Sequence, residues 1–337
     1  MKIFPRKGDW LPLLLRWAIL LLVSIISLLF FTKMPGSSHS EPLQPLSAKE
    51  HEVCMNLKQH VSVLAENIGE RNIWKYDSLK ASASYIEKAI TEMGYEVKKQ
   101  EYMVMGKQVE NLEWELTSER HPEEIILVGA HYDSVSGSPG SNDNASGIAA
   151  VLEIARLLKA ETLSRTIRFV TFVNEEPPFF QTGKMGSRIY ASRSRQRGEK
   201  IIAMFSLETI GYYSHEKGSQ NYPFPLSFFY PDTGNFIAFV GNVSSRSLVQ
   251  EALEIFRSKT AFPSEGIAAP GWFPGIGWSD NWSFWKEGYP AIMITDTALF
   301  RYPYYHTHQD VLDNIEYEQM SRVVVGMSET VHALSQK

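Results

Sequence analysis

Apolar residues fill positions 11–31 with a single charged interruption, Arg16. A run of that length matches the hydrocarbon thickness of a bilayer and exceeds the apolar stretch of a cleavable signal. Phe30-Phe31-Thr32-Lys33 offers no small-residue cleavage site. Lys2, Arg6 and Lys7 precede the run, and positive charge on that side predicts a cytoplasmic segment at 1–10, with the remainder of the chain outside. Arg16 lies near enough to the start to snorkel toward the headgroups. We therefore expect one uncleaved transmembrane signal anchor at 11–31. Pro35, Gly36, Ser37, Ser38, Pro42 and Pro45 mark a polar linker over 32–47, and one domain should occupy 48–337.

Inside that domain the pattern alternates between two periods. Ile86, Ile90 and Met93 share one helical face, and residues 76–97 predict a helix followed by a strand. Continuous apolar runs at 124–130, 166–173 and 201–207 read as buried strands, with shorter ones at 236–240 and 291–294. Ile148, Val151, Leu152, Ala155 and Leu158 recur at 3.6-residue spacing after Asp143, and residues 316–334 close the chain as a helix. Strands alternating with helices predict an α/β fold with a largely parallel, helix-covered sheet. In such folds ligands gather beyond the carboxyl ends of the strands. His131, Glu175, Glu176 and Glu208 all fall at those ends.

Composition narrows the chemistry. Net charge is −5 with no basic stripe, which argues against a nucleic-acid partner. Cys54 is the only cysteine, so an intrachain disulfide and a cysteine-rich zinc site are both excluded. A metal site must use His, Asp and Glu, a donor set that suits zinc, manganese or cobalt. Two ions about 3.5–4 Å apart need a shared carboxylate. Asp143, short and at a helix start, is the candidate bridge. Asp133, two residues after His131, is placed to accept the second imidazole N–H. Of the adjacent Glu175 and Glu176, one can bind metal while the other serves as general base.

These residues carry a resemblance. His131-Tyr132-Asp133-Ser134, the loop Pro139-Gly140-Ser141-Asn142-Asp143-Asn144-Ala145-Ser146-Gly147, the Glu175-Glu176 pair, Ser206-Leu207-Glu208-Thr209-Ile210-Gly211 and Tyr305-His306-Thr307 resemble the di-zinc aminopeptidase family over about residues 60–335. That family includes secreted bacterial leucyl-type aminopeptidases, glutamate carboxypeptidase and glutaminyl cyclases. The resemblance implies a mixed, mostly parallel eight-stranded sheet between helices and a cis Asp143–Asn144 peptide. It implies two zinc ions, one on His131 and Glu208 and the other on Glu176 and His306, with Asp143 shared. It further implies Glu175 as general base to the water that cleaves the substrate, and Tyr305 as hydrogen-bond donor to the oxyanion.

The expected protein is a zinc exopeptidase, foremost an aminopeptidase, acting on peptides from the outer side of a bacterial cell envelope. Its rivals are a one-zinc glutaminyl cyclase and a non-catalytic receptor-like ectodomain. Four positions depart from the family pattern. Glu208 stands where Asp is commoner, Asn281 stands in place of His, Pro177-Pro178-Phe179-Phe180 replaces a small-residue turn, and His308 competes with His306. The aromatic segment 272–285 reads equally as core packing or as an apolar substrate wall.

Overall fold

The computed structural model describes residues 10–337, with side chains from residue 13. The cytoplasmic segment expected at 1–10, with Lys2, Arg6 and Lys7, lies outside the described residues except for Trp10. The apolar run forms α1 (Trp10–Thr32), and no residue of its stretch Leu13–Thr32 is fully buried in the rest of the chain. Twenty helical residues rise about 30 Å, enough to cross a membrane. Residues 33–46 form no helix or strand. Ser47 then caps α2 (Ala48–Val61), its hydroxyl accepting from the Glu50 N–H while the Glu50 carboxylate accepts from the Ser47 N–H.

Helix α3 (Tyr76–Glu92) leads into a hairpin of β1 (Lys98–Val104) and β2 (Lys107–Leu116). The chain then alternates through β3 (His121–His131), α4 (Gly147–Leu158), β4 (Arg165–Phe172), α5 (Gly186–Gln196) and β5 (Lys200–Glu208). It continues with β6 (Ile237–Asn242), α6 (Arg246–Lys259), β7 (Ser264–Ala269), α7 (Asn281–Lys286), β8 (Ala291–Thr295) and α8 (Tyr317–Ser335). One sheet of eight strands results, in the order β1-β2-β4-β3-β5-β8-β6-β7. Its four central strands β4, β3, β5 and β8 are parallel, and the antiparallel pairs lie toward the margins. The expected fold class is the observed one.

The central strands are apolar on both faces because both faces are covered. Ile126 and Val128 of β3 pack into a cluster with α2, α4 and α8, while Ile125 and Leu127 pack with Tyr190 of α5 and Phe284 of α7. Strand β2 escaped the sequence pattern because it carries acids into the interior. Glu110 is salt-bridged to Lys80, and Glu113 accepts from the Tyr190 hydroxyl at 2.6 Å. His60, which reads as a surface residue, is half-buried with its Nδ1 2.7 Å from the Tyr85 hydroxyl. Burial lowers its pKa, against the pull of Glu153.

Candidate active site

The parallel strands deliver the site. His131 ends β3, Glu208 ends β5, and Glu175-Glu176 follow β4 after two intervening residues. Asp143 sits in the turn before α4, and His306 comes from the loop between β8 and α8. His131, Asp143 and Glu208 bring their donor atoms within 4.8 Å of one another, and so do Asp143, Glu176 and His306. The Asp143 oxygens face opposite ways, Oδ1 3.4 Å from His131 Nε2 and Oδ2 3.0 Å from His306 Nε2. Glu208 Oε2 lies 3.1 Å from His131 Nε2, and Glu176 Oε2 3.4 Å from His306 Nε2. Glu175 belongs to neither group, with Oε2 3.9 Å from His131 Nε2. The Asp143–Asn144 peptide is cis.

Both Asp143 oxygens and Glu176 Oε1 are buried without a hydrogen-bond donor. A buried carboxylate left that way costs several kcal/mol unless a cation faces it. The donor set is carboxylate and imidazole with no thiolate, which suits zinc. The residues therefore fit divalent-cation ligation. Burial raises the pKa of Glu175 and Glu176 well above the ordinary value and that of Glu208 upward too, with neighbouring carboxylates adding to the push and His131 opposing it. Burial also works upward on Asp143, but the imidazoles of His131 and His306 on either side bring it below its ordinary value.

Asp133 acts differently from expectation. The atom nearest His131 Nδ1 is its backbone carbonyl, at 3.2 Å, with the carboxylate at 3.5 Å. A carbonyl only accepts, so a proton on Nδ1 satisfies it, which would leave Nε2 to ligate a cation beside Asp143 and Glu208. The Asp133 carboxylate instead accepts the backbone N–H groups of Glu175 and Glu176, each at 3.1 Å. Asp310 does the same for the other loop, accepting from the Asn142 and Asp143 N–H groups at 2.8 and 3.1 Å. Gly140 turns that loop with φ +64°, where a side chain would collide with the Asp143 carbonyl.

Arg71, like Asp310, supports the site and was missed by sequence reading. Fully buried, its guanidinium donates to the carbonyls of Tyr132, Leu64, Gly69, Pro139 and Gly140. Burial lowers it to about 10, while Asp310, Asp133 and Asp143 pull it back up. It pins both ends of the stretch between His131 and Asp143. No signal marked it, since a lone Arg in a polar segment reads as surface.

Tyr305 stacks on the His306 ring at 3.9 Å between centroids and is mostly buried. His308 is exposed and belongs to neither donor group. Asn281 is buried and donates to the Ile276 carbonyl at 3.2 Å. Beside Glu208 and Tyr305 opens an apolar pocket. The aromatic segment divides accordingly: Pro274, Ile276 and Trp278 line this pocket, Phe284 is core, and Trp272 is exposed.

Residues 111–331 match the profile of peptidase family M28. The chain is 37% identical over 290 residues to the uncharacterised protein YfbL of Escherichia coli, covering 83% of this chain and 88% of that one. It is 30% identical over 213 residues to the aminopeptidase YwaD of Bacillus subtilis, 60% of this chain and 39% of that longer protein. A zinc aminopeptidase from Bacillus subtilis superposes with a TM-score of 0.67 at 17% identity, over 84% of this chain and 95% of that one. The resemblance read from the motifs is thus borne out, and with it the metallopeptidase class: the chain belongs to peptidase family M28.

Proposed function

We propose that the chain is a zinc-dependent aminopeptidase, anchored to a membrane by α1 with its catalytic domain outside the cytoplasm. One zinc ion would be held by His131 and Glu208 and a second by Glu176 and His306, with Asp143 available to both. One observation supports this above the others: Asp143 is buried with both oxygens lacking donors, and each oxygen faces a different histidine. Bound there, the metal would supply Lewis-acid polarisation and a lowered pKa for water.

The chain's own residues do the rest. Glu175 lies beside the donor groups and outside both, so its carboxylate is free to take a proton from water and return it to the leaving amine. Asp133 orients it by holding the 175–176 backbone, and fixes the tautomer of His131 through its carbonyl. Tyr305, at the junction of pocket and site, donates its hydroxyl to the oxygen of the scissile carbonyl as charge develops there. The pocket walls exclude water and receive the side chain of the N-terminal residue. The test is a panel of aminoacyl-naphthylamides assayed with chelator and with restored zinc, alongside N-terminal Gln peptides. Chelator-sensitive release of naphthylamine is expected. Turnover indifferent to chelation, or cyclisation of Gln peptides without hydrolysis, overturns the reading.

A further inference from the structure

Three features meet on one side of the molecule. The first is how α1 joins the domain. Arg246 donates to the carbonyls of Phe30 and Lys33 at 3.0 and 3.2 Å, with its guanidinium 4.3 Å above the Phe30 ring. Arg257 donates to the Pro35 carbonyl at 2.6 Å, and the Ser38 hydroxyl accepts the Ser264 N–H at 2.9 Å. Met34 lies against Gly266 of β7. The domain is therefore seated at the very end of the apolar helix, with no slack between them.

The second feature is the sheet face beside it. Phe31 packs onto the cluster built by Ala238 and Val240 of β6, Ile267 of β7 and Met293 of β8. Two loops cover that same face: residues 221–231, which pack Tyr222, Leu226 and Tyr230 onto it, and residues 270–278, which pack Phe273 and Ile276. Between these loops and the sheet lies the apolar pocket, running from Glu208 and Tyr305 to Gly266 and Ile267.

The third feature is what the two loops point outward. Phe224, Phe228 and Trp272 are 82%, 77% and 81% exposed. Three aromatic rings so exposed are costly in water, and they share their loops with residues packed on the cluster that Phe31 joins. Exposed aromatic rings suit the interfacial layer of a bilayer, and Lys33 and Arg246 place two cations where α1 ends.

We propose that Phe224, Phe228 and Trp272 sit in the headgroup layer of the membrane that α1 crosses, so that the active-site pocket is fed from the bilayer surface. The substrates are then peptides with an apolar N-terminal segment that partition into lipid. This rests on the aminopeptidase and anchor readings above. A second copy of the chain is the other candidate cover for these rings, but Phe31 at the end of α1 packs on the same cluster as the two loops that carry them.

The experiment uses the full chain reconstituted in phosphatidylethanolamine–phosphatidylglycerol vesicles. Tryptophan quenching by brominated lipid is compared between the unaltered chain and Trp272→Phe. A quenched component that disappears in Trp272→Phe supports the contact, and identical quenching overturns it. The triple variant Phe224→Ser, Phe228→Ser, Trp272→Ser is then assayed on leucyl-naphthylamide and on a peptide partitioned into the vesicles. Turnover of the soluble substrate should stay within about twofold, while that of the vesicle-bound peptide falls at least tenfold. Equal rates on both, or Phe228→Cys crosslinks between copies in place of lipid quenching, overturn the proposal. If the unaltered chain hydrolyses neither substrate, the aminopeptidase reading has failed, and quenching alone decides the membrane contact.

Discussion

The two donor groups share Asp143 and use the same ligand types, yet they are built differently. His131, Asp143 and Glu208 are all buried, and His131 and Glu208 are the last residues of adjacent parallel strands, β3 and β5. In the second group His306 is exposed, has a left-handed backbone (φ +58°) and sits on a loop, braced by Tyr305. Sheet hydrogen bonding fixes the first group, whereas the second depends on loop conformation and faces solvent. A site of this kind pairs a rigid, buried half with one that faces solvent through His306.

The most severe way to break the comparison is to remove the residue both groups share. Asp143→Ala should abolish binding of both ions, and lost metal polarisation worth several kcal/mol lowers turnover by about a thousandfold or more. Metal content by elemental analysis, with circular dichroism to confirm the fold, checks this. Retention of a full complement of two ions would show that Asp143 is not shared. Next comes Glu175→Gln, which should lower kcat by about 10²–10⁴-fold while leaving metal content unchanged, because Glu175 lies outside both groups. Near-normal hydrolysis by that variant removes Glu175 from the mechanism. Graded chelation then sharpens the contrast itself. The solvent-facing group should release its ion first, giving two resolved steps in metal content, whereas release of both in a single step would mean that burial does not separate them.

Much of the rigid half was legible in the sequence, and less of the open half. The apolar runs of β3, β4 and β5 declare a covered parallel sheet, and the strand ends then carry His131, Glu175, Glu176 and Glu208 with them. What stayed hidden is set by tertiary partners. Strand β2 buries Glu110 and Glu113, and β7 reads Ser-Glu-Gly-Ile-Ala-Ala, too short and small to signal a strand. Arg71 and Asp310 acquire their roles only when loops distant in sequence fold against them. Arg71→Lys tests that role: a point charge cannot span five carbonyls as a guanidinium fork does. We expect metal affinity to fall by about 10–100-fold with the fold retained, as for other outer-shell partners. Unchanged affinity, measured by competition with a zinc chelator, would reduce Arg71 to a packing residue.

The smallest expected effect concerns Glu208, the last residue of β5. Its Oε2 accepts from the Ser279 hydroxyl at 2.8 Å, and that hydroxyl lies 3.1 Å from the Ser206 hydroxyl. The longer side chain thus reaches both His131 and a serine pair across the strand ends. Glu208→Asp withdraws the carboxylate by about one bond length and should forfeit the Ser279 contact, a charged hydrogen bond worth about 1.5–3 kcal/mol, while keeping the ligand type. Metal should remain bound and turnover change by no more than about tenfold. A double-mutant cycle isolates the cause: Ser279→Ala should weaken metal binding in the native background and do nothing further in Glu208→Asp. Additive losses would instead mean that Ser279 supports the rigid group by another route, and that the extra methylene of Glu208 plays no part in holding it.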